Sequence, residues 1–494
     1  MSAGLAAALA AGNASARLRS LARLAKADVS ESTPFLTEPS WSPPAITIET
    51  PASGTAPGLV FIAPMAAGGS TIPPGTYGPS ILDNSGEPVW FLPLQTEVGQ
   101  NFRAQTYRGQ PVLTWYEGPT GSTYGGSCVI YDDAYRELKR VHGGNGYSLD
   151  LHEFLITDRD TALVAIYNTV TTDLTSTGGA ANAQVVEGIV QEIEIETGEV
   201  LFEWRSLDHV GVDESYLSTP GATGSIDYFH LNAIDVDTDG NLLVSGRNTS
   251  TVYKLDRKTG EIIWRLGGMN SDFQMGPGAT FNFQHDPRSH EDGTLTLFDN
   301  GASGPGTQDI EPMSRPMRLR LDTDAMTAAL VQVYETATPR LATALGNVQQ
   351  QPHGGVFVNW GTAGAFSEFA PDGSVIFDAT LPAGTDSYRA FRFPWVGRPA
   401  TRPSVTATAA ASGQIAVAAS WNGATEVTHW QFHTGPSAAK IAAVTTVPRS
   451  GFETIVQLPS AAFVAVTAFG ANDDALGSSP PVAVGSADLV STSG

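Results

Sequence analysis

From Gly58 onward, hydrophobic and polar positions alternate in short runs broken by acidic or polar turns that carry glycine. Alternation with a period of two predicts half-buried strands, and Asp-Gly or Thr-Gly between two such runs predicts hairpins. One unit recurs as ILDNSGEPVWF from Ile81, VIYDDAYRELKRV from Val129, IEIETGEVLFEW from Ile193, TVYKLDRKTGEIIWRLG from Thr251, LRLDTDAMTAALVQVY from Leu319 and FSEFAPDGSVIFDA from Phe366. A second, more apolar unit alternates with it: FRAQTYRGQPVLTWYEG, LHEFLITDRDTALVAIYN, FHLNAIDVDTDGNLLVSGRN, FQHDPRSHEDGTLTLFDN and NVQQQPHGGVFVNWG. The sixth copy combines SYRAFRFPW near the end of the pattern with GLVFIAP at its start. Two hairpins make a four-stranded blade, so the pattern predicts an all-β chain with a six-bladed β-propeller over residues 58–398. A blade built from both ends closes the ring and removes an open edge. The largest expected loop insertions fall at residues 169–185 and 208–226.

The flanks read differently. Residues 1–57 predict an extended, partly disordered arm, rich in Pro, Ser and Thr from Asp28 on. It opens with an Ala-rich stretch followed by a basic one, the reverse of a secretory signal. Residues 399–494 are poor in charge, and runs such as QIAVAASWNG, THWQFHTG, ETIVQLP and FVAVTAFGAN predict a small β-sandwich of fibronectin type III or immunoglobulin kind, with Trp421 and Trp430 in its core.

Composition narrows the function. With 41% hydrophobic and 16% charged residues the 494-residue chain has a globular balance. Its net charge of −23 argues against nucleic acid and anionic lipid as partners, and no apolar run reaches membrane-spanning length. The single cysteine, Cys128, rules out an internal disulfide and a cysteine-based zinc site and reads as a buried thiol.

Aligning the apolar hairpins places one polar residue near the start of each innermost strand: Arg103, His152, His230, His285, Asn347 and Arg389. In a propeller these strands line the central channel, so the residues converge from different blades. Arg247 and Asn300 lie at the far ends of the same hairpins, and Asn232 shares the strand face of His230. Any one histidine is more often structural than catalytic. Three at equivalent repeat positions point to a site. Trp115, Trp360 and Tyr167 are candidates for an aromatic wall or for core packing. Glu153 and Asp286 adjoin key histidines but point to the opposite strand face, which suits supporting roles. Asp235, Asp237 and Asp239 in DVDTDG lack the downstream glutamate of a calcium loop and read as a hairpin turn. His353, in PHGG, reads as exposed.

The segment DYFHLNAIDVDTDGNLLVSGRNTSTVYKLDRKTGEIIWRLGG resembles the core of the bacterial arylsulfate sulfotransferases. The resemblance runs over residues 58–398 and is most specific in Leu151–Phe154, Phe229–Gly268 and Phe283–Asn300. It implies a propeller enzyme that takes an aryl sulfate, not 3′-phosphoadenosine 5′-phosphosulfate, as donor and a phenol as acceptor. It further implies His285 in the Gln-His motif as covalent nucleophile, His230, Asn232 and Arg247 as the His-x-Asn pair with its arginine, and His152 as the preceding histidine. Arg103, Asn300, Asn347, Arg389 and Trp360 are further candidates for substrate contact. A secreted or periplasmic place follows from the resemblance, with no clear signal peptide and a cytoplasmic place left open. No cofactor and no metal are expected; a three-histidine metal site is disfavoured because Arg247 would sit beside the cation. An oligomer is compatible with the sequence. Two other functions compete: a non-catalytic propeller that binds glycans or proteins, and a propeller enzyme repurposed for a specialised natural product.

Overall fold

The computed structural model describes residues 34–67, 77–94, 97–119, 124–217, 225–302, 311–410 and 413–485. The first thirty-three positions of the expected arm, with their Ala-rich start, and parts of the expected loops lie outside the described residues. The described chain is built of strands, with only short 3₁₀ turns as helix. Among these residues no helix is long and apolar enough to cross a membrane. The chain divides into two compact units, one formed by Ile46–Gly86 with Leu92–Trp395, the other by Met1–Ala45, Glu87–Phe91 and Val396–Gly494.

The larger unit holds six separate, mainly antiparallel sheets among the described residues. The strand Leu231–Val236 pairs with Leu242–Gly246, that with Thr251–Leu255, and that with Ile262–Gly267. The turn between the first two is Asp239-Gly240, where Gly240 takes φ +85° at no steric cost. Asp237 and Asp239 in this turn hold Lys254 at 2.6 and 2.7 Å. The innermost strands neighbour one another in turn. Glu97–Tyr107 lies beside Phe154–Ile156, Leu231–Val236 beside His285–Ser289, then come Asn347–Gln350 and Thr385–Phe393, which returns to Glu97–Tyr107. Thr385–Phe393 pairs with Leu59–Ala66, so segments more than three hundred positions apart share a sheet. Alternate side chains of each strand enter apolar layers between sheets. Leu163, Val185, Ile234, Val244 and Tyr253 are fully buried in one of them. Thr47–Thr50, inside the segment expected as an arm, is a strand on the edge of Val375–Thr380. Ile46 and Ile48 pack there against the layer of Phe366, Phe377 and Ala379, and that burial orders the segment.

In the smaller unit, Gln414–Ser420 lies between Ser404–Ala409 and Thr454–Pro459. A second sheet runs Lys440–Pro448, His429–Ser437, Phe463–Phe469, Ala475–Ser478. The two share a core of Ile415, Val417, Trp430, Phe432, Val464 and Val466.

Candidate functional site

Three innermost strands start at or just after a histidine, and at His230 and around His285 the backbone turns through unusual conformations. His230, Phe283 and Asp286 have φ of +55°, +54° and +54°, a region that non-glycine residues rarely occupy and that costs on the order of 1–3 kcal/mol each. The turns aim side chains of neighbouring sheets at each other. The His152 and His230 rings meet edge-on with centroids 4.9 Å apart. Tyr167 stacks on His152 at 5.3 Å, and Tyr388 meets His152 at 5.2 Å and His285 at 6.4 Å. Four sheets thus contribute to one cluster.

Each imidazole has a fixed orientation. The Asn300 amide donates to the carbonyls of Ala342 (2.8 Å) and Leu345 (3.0 Å), so its Oδ1 faces His285 and accepts from Nδ1 at 2.7 Å. His285 Nε2 is therefore the acceptor nitrogen, and the Leu345 N–H reaches it at 3.3 Å. Burial first, then the nearby Arg247 charge, hold His285 well below the usual histidine value, so the ring is neutral with its lone pair on Nε2. His152 and His230 instead back onto carboxylates. Asp150 bonds His152 Nδ1, and Asp227 bonds His230 Nδ1 at 2.5 Å. Burial alone would raise the Asp227 carboxyl, but His230 outweighs it and the group stays ionised. His230 itself is lowered by burial in spite of Asp227. Its side chain is 23% exposed against 6% for His152, which gives it the readier exchange of protons with solvent.

Arg247 supplies the positive charge. It is 6% exposed, its Nη1 donates to Asn248 Oδ1 and its Nη2 to the Thr343 carbonyl, both at 2.9 Å, and it lies over the Phe283 ring. Among the described residues no carboxylate pairs with it and its Nε has no partner. Burial lowers it to about 10, which still leaves it charged at neutral pH. A buried guanidinium with no carboxylate in direct contact is costly and suits an anion that arrives from outside.

Other candidates from the sequence take different places. Asn232 donates to the Gln284 carbonyl at 2.7 Å, holding the peptide that leads into His285, and leaves its own Oδ1 without a partner. Gln284 in turn donates to Ser245 Oγ and to the carbonyls of Gly246 and Thr251, which locks the Gln-His motif to the neighbouring sheet. Asn300 is in the cluster as the partner of His285. Arg103 and Arg389 both pair with Glu153 at 3.0 Å, and Arg288 reaches the same carboxylate at 2.5 Å and Asp286 at 2.6 Å. These arginines are compensated by acids, unlike Arg247. They act on the site through Arg389, which donates to the Asn232 carbonyl at 3.0 Å. Asn347 exchanges two 2.9 Å hydrogen bonds with the Ala390 backbone and ties two innermost strands together. Trp360 lies in the core against Phe298 and Phe369 with its N–H on Ser367, and Trp115 is likewise in the core, so of the three aromatic-wall candidates only Tyr167 touches the histidines. His353 is held half-buried by Glu368 at 2.9 Å and is not the exposed turn residue expected. Asp150, Asp227 and Tyr388 were missed by the sequence reading. An aspartate two or three positions before a histidine was the available signal for the first two. Among the described residues no group of acids, histidines and cysteines is arranged to hold a metal ion.

A family model described as arylsulfotransferase (ASST) matches residues 103–381, more than half of the chain. The chain belongs to the arylsulfotransferase family. The matched stretch contains the three motif regions around His152, His230 and His285, and sulfotransfer is the activity it supports at family level. Among curated proteins none matches this arylsulfotransferase. Solved structures similar to it include a protein of unknown function from Bacteroides caccae, at 12% identity over 68% of this chain and 98% of that one, with TM-score 0.38. Virginiamycin B lyase from Staphylococcus aureus is similar at 9% identity over 67% and 88%, with TM-score 0.35. A protein from Lactobacillus plantarum is similar at 13% identity over 81% and 99%, with TM-score 0.34.

Proposed function

We propose that this arylsulfotransferase moves a sulfuryl group from an aryl sulfate to a phenol in a ping-pong cycle through a covalent adduct on His285. The frame of this reading is a six-bladed β-propeller over residues 58–398, supported by the six sheets and their shared first and last strands. A fibronectin type III-like sandwich over residues 399–494 is supported by the two sheets around Trp430. Within the segment before this propeller, Thr47–Thr50 joins a blade as its edge strand. The family resemblance implies action in a secreted or periplasmic setting.

The observation that carries the chemistry is the pairing of opposites at one point: a buried guanidinium with no carboxylate partner among the described residues, and an imidazole kept neutral beside it. Sulfuryl transfer, like phosphoryl transfer, has a loose transition state with charge on the equatorial oxygens and on the entering and leaving atoms. Arg247 takes the sulfonate oxygens. His285 Nε2 attacks sulfur as the bond to the aryl oxygen breaks, and the electron pair of that bond leaves with the phenolate. The phenolate takes its proton from Nε2 of His152 or His230 in the imidazolium form, which the aspartate on Nδ1–H supports, and that ring is left neutral. Asn300 keeps the His285 Nδ1 proton in place throughout. In the second half the acceptor phenol gives its proton to the same imidazole and attacks sulfur. The S–N bond then breaks, and neutral His285 is restored. The 3.3 Å bond from the Leu345 N–H is long and yields Nε2 at small cost.

The test is intact mass after brief exposure to 4-nitrophenyl sulfate without acceptor. One sulfuryl group should appear on the peptide carrying FNFQHDP and vanish on addition of phenol. Release of nitrophenol with no adduct would end the ping-pong reading, and no release with any acceptor would favour a binding scaffold. The pH dependence follows from the His285 environment. The nucleophile must be neutral, and its folded-state value is held well below 6.5, so adduct formation should stay constant as pH falls through 6.5 and decline only at more acidic pH. The same shift lowers stability below 6.5, where the unfolded chain binds the proton more readily, so melting curves should accompany the rates.

A further inference from the structure

We infer that Tyr216 forms the outer wall of the subsite for the aryl ring of the donor, held in place by Asn248. This rests on the sulfotransferase reading above. The aromatic groups in the histidine cluster, Tyr167 and Tyr388, are buried and committed: their hydroxyls donate to the carbonyls of Leu231 (3.0 Å) and Asn232 (2.9 Å). Tyr216 is different. It is 44% exposed, a large share for an aromatic side chain, and its ring meets Phe283 edge-on at 6.3 Å. Phe283 precedes His285 by two positions, and its ring lies 5.3 Å from the Arg247 guanidinium. The order Arg247, Phe283, Tyr216 therefore runs from the buried charge to solvent.

A sulfonate on Arg247 and His285 must carry its ring away from the charge. The face that leads outward is this aromatic pair. Phe283 is buried and backs Tyr216, so the ring open to an edge-to-face or offset contact is that of Tyr216.

The loop is not there by chance of packing. Asn248 accepts from Arg247 Nη1 through its side chain and donates through Nδ2 to the Asp227 carbonyl at 2.6 Å. Its own carbonyl accepts from the Tyr216 N–H at 2.8 Å and from Ser215 Oγ at 3.4 Å. One residue, 2% exposed, thus sets the guanidinium, the aspartate behind His230 and the position of Tyr216. That linkage fixes the distance between the place of the sulfonate and the place of the ring. It makes the subsite selective for rings attached directly to the sulfuryl group.

The test separates ring from sulfonate by calorimetric binding of two non-transferable probes, 4-nitrobenzenesulfonate and methanesulfonate, to the full chain. Tyr216→Ala should weaken nitrobenzenesulfonate about tenfold, the scale of one aromatic contact, and leave methanesulfonate unchanged. Tyr216→Phe should bind both like the wild type, because the hydroxyl is not used. With 4-nitrophenyl sulfate as donor, the Ala variant should raise KM with little change in kcat. Equal affinity of wild type and Tyr216→Ala for nitrobenzenesulfonate overturns this inference and leaves the sulfotransferase reading intact. A wild-type protein that binds neither probe and releases no nitrophenol overturns both.

Discussion

His285→Ala should abolish adduct formation and lower turnover by at least about a thousandfold, because losing a nucleophile removes the covalent route and not a share of it. The chain should remain folded. His285 sits at the start of a five-residue strand whose register with Thr294–Asp299 is set by backbone pairing, and the Gln-His peptide is locked through Gln284 and Asn232. Circular dichroism and melting of the variant check this independently of activity. Asn300→Ala should act in the same direction but more weakly. It leaves the nucleophile in place and removes the acceptor that fixes its tautomer, and it deprives the Ala342 and Leu345 carbonyls of a donor. Wild-type turnover in a folded His285→Ala protein would remove the covalent mechanism altogether.

The second large effect is expected at Arg247. Arg247→Ala should slow the chemical step by about a hundredfold or more, roughly 2.7 kcal/mol of transition-state stabilisation, in line with the loss of one strong donor. Lysine should recover only part of this, because a point charge cannot reproduce a fixed fork of donors. The sharper expectation concerns stability. Arg247 is buried without a carboxylate among the described residues, so Arg247→Met should leave the Tm unchanged or raise it while activity is lost. The same exchange at Arg389 should destabilise by about 1–3 kcal/mol, because Glu153 keeps Arg103 and Arg288 but buried acceptors on Glu153, Asn101 and the Asn232 carbonyl lose a donor. Thermal melts of the two methionine variants, beside single-turnover rates, tell a functional guanidinium from a structural one. Equal destabilisation at both positions would mean that Arg247 is a structural arginine too.

The strand pattern was legible because its determinants are local. Alternation and turn chemistry repeat within ten to twenty residues, so TVYKLDRKTGEIIWRLG can be read as a hairpin without knowing what it packs on. The pairing of SYRAFRFPW with GLVFIAP was also legible, because a sixth unit was otherwise incomplete. The strand at Thr47–Thr50 was not. Four residues carry too little pattern, and what orders them is a sheet edge formed by Val375–Thr380 far along the chain.

Within the candidate site, the sequence by itself determined the residue types and their repeat positions: His152, His230, His285, Asn232, Arg247 and Asn300 all stand at the starts or ends of equivalent hairpins. It set Arg247, at the far end of a hairpin, apart from Arg103 and Arg389 at strand starts, and the family resemblance implied its role, but it did not say which of these arginines an acid neutralises. Only the tertiary structure decided that two of these arginines are neutralised by Glu153 and one is not. It likewise decided that Trp360 belongs to the core and Tyr388 to the histidine cluster, and that His285, unlike His152 and His230, has an amide and not a carboxylate behind its ring. The physical reason is the range of the interactions. Strand formation answers to neighbours along the chain. The charge state of a buried group answers to whatever residues the fold brings within a few ångströms, from three positions away at Asp227 and His230 to 236 at Glu153 and Arg389.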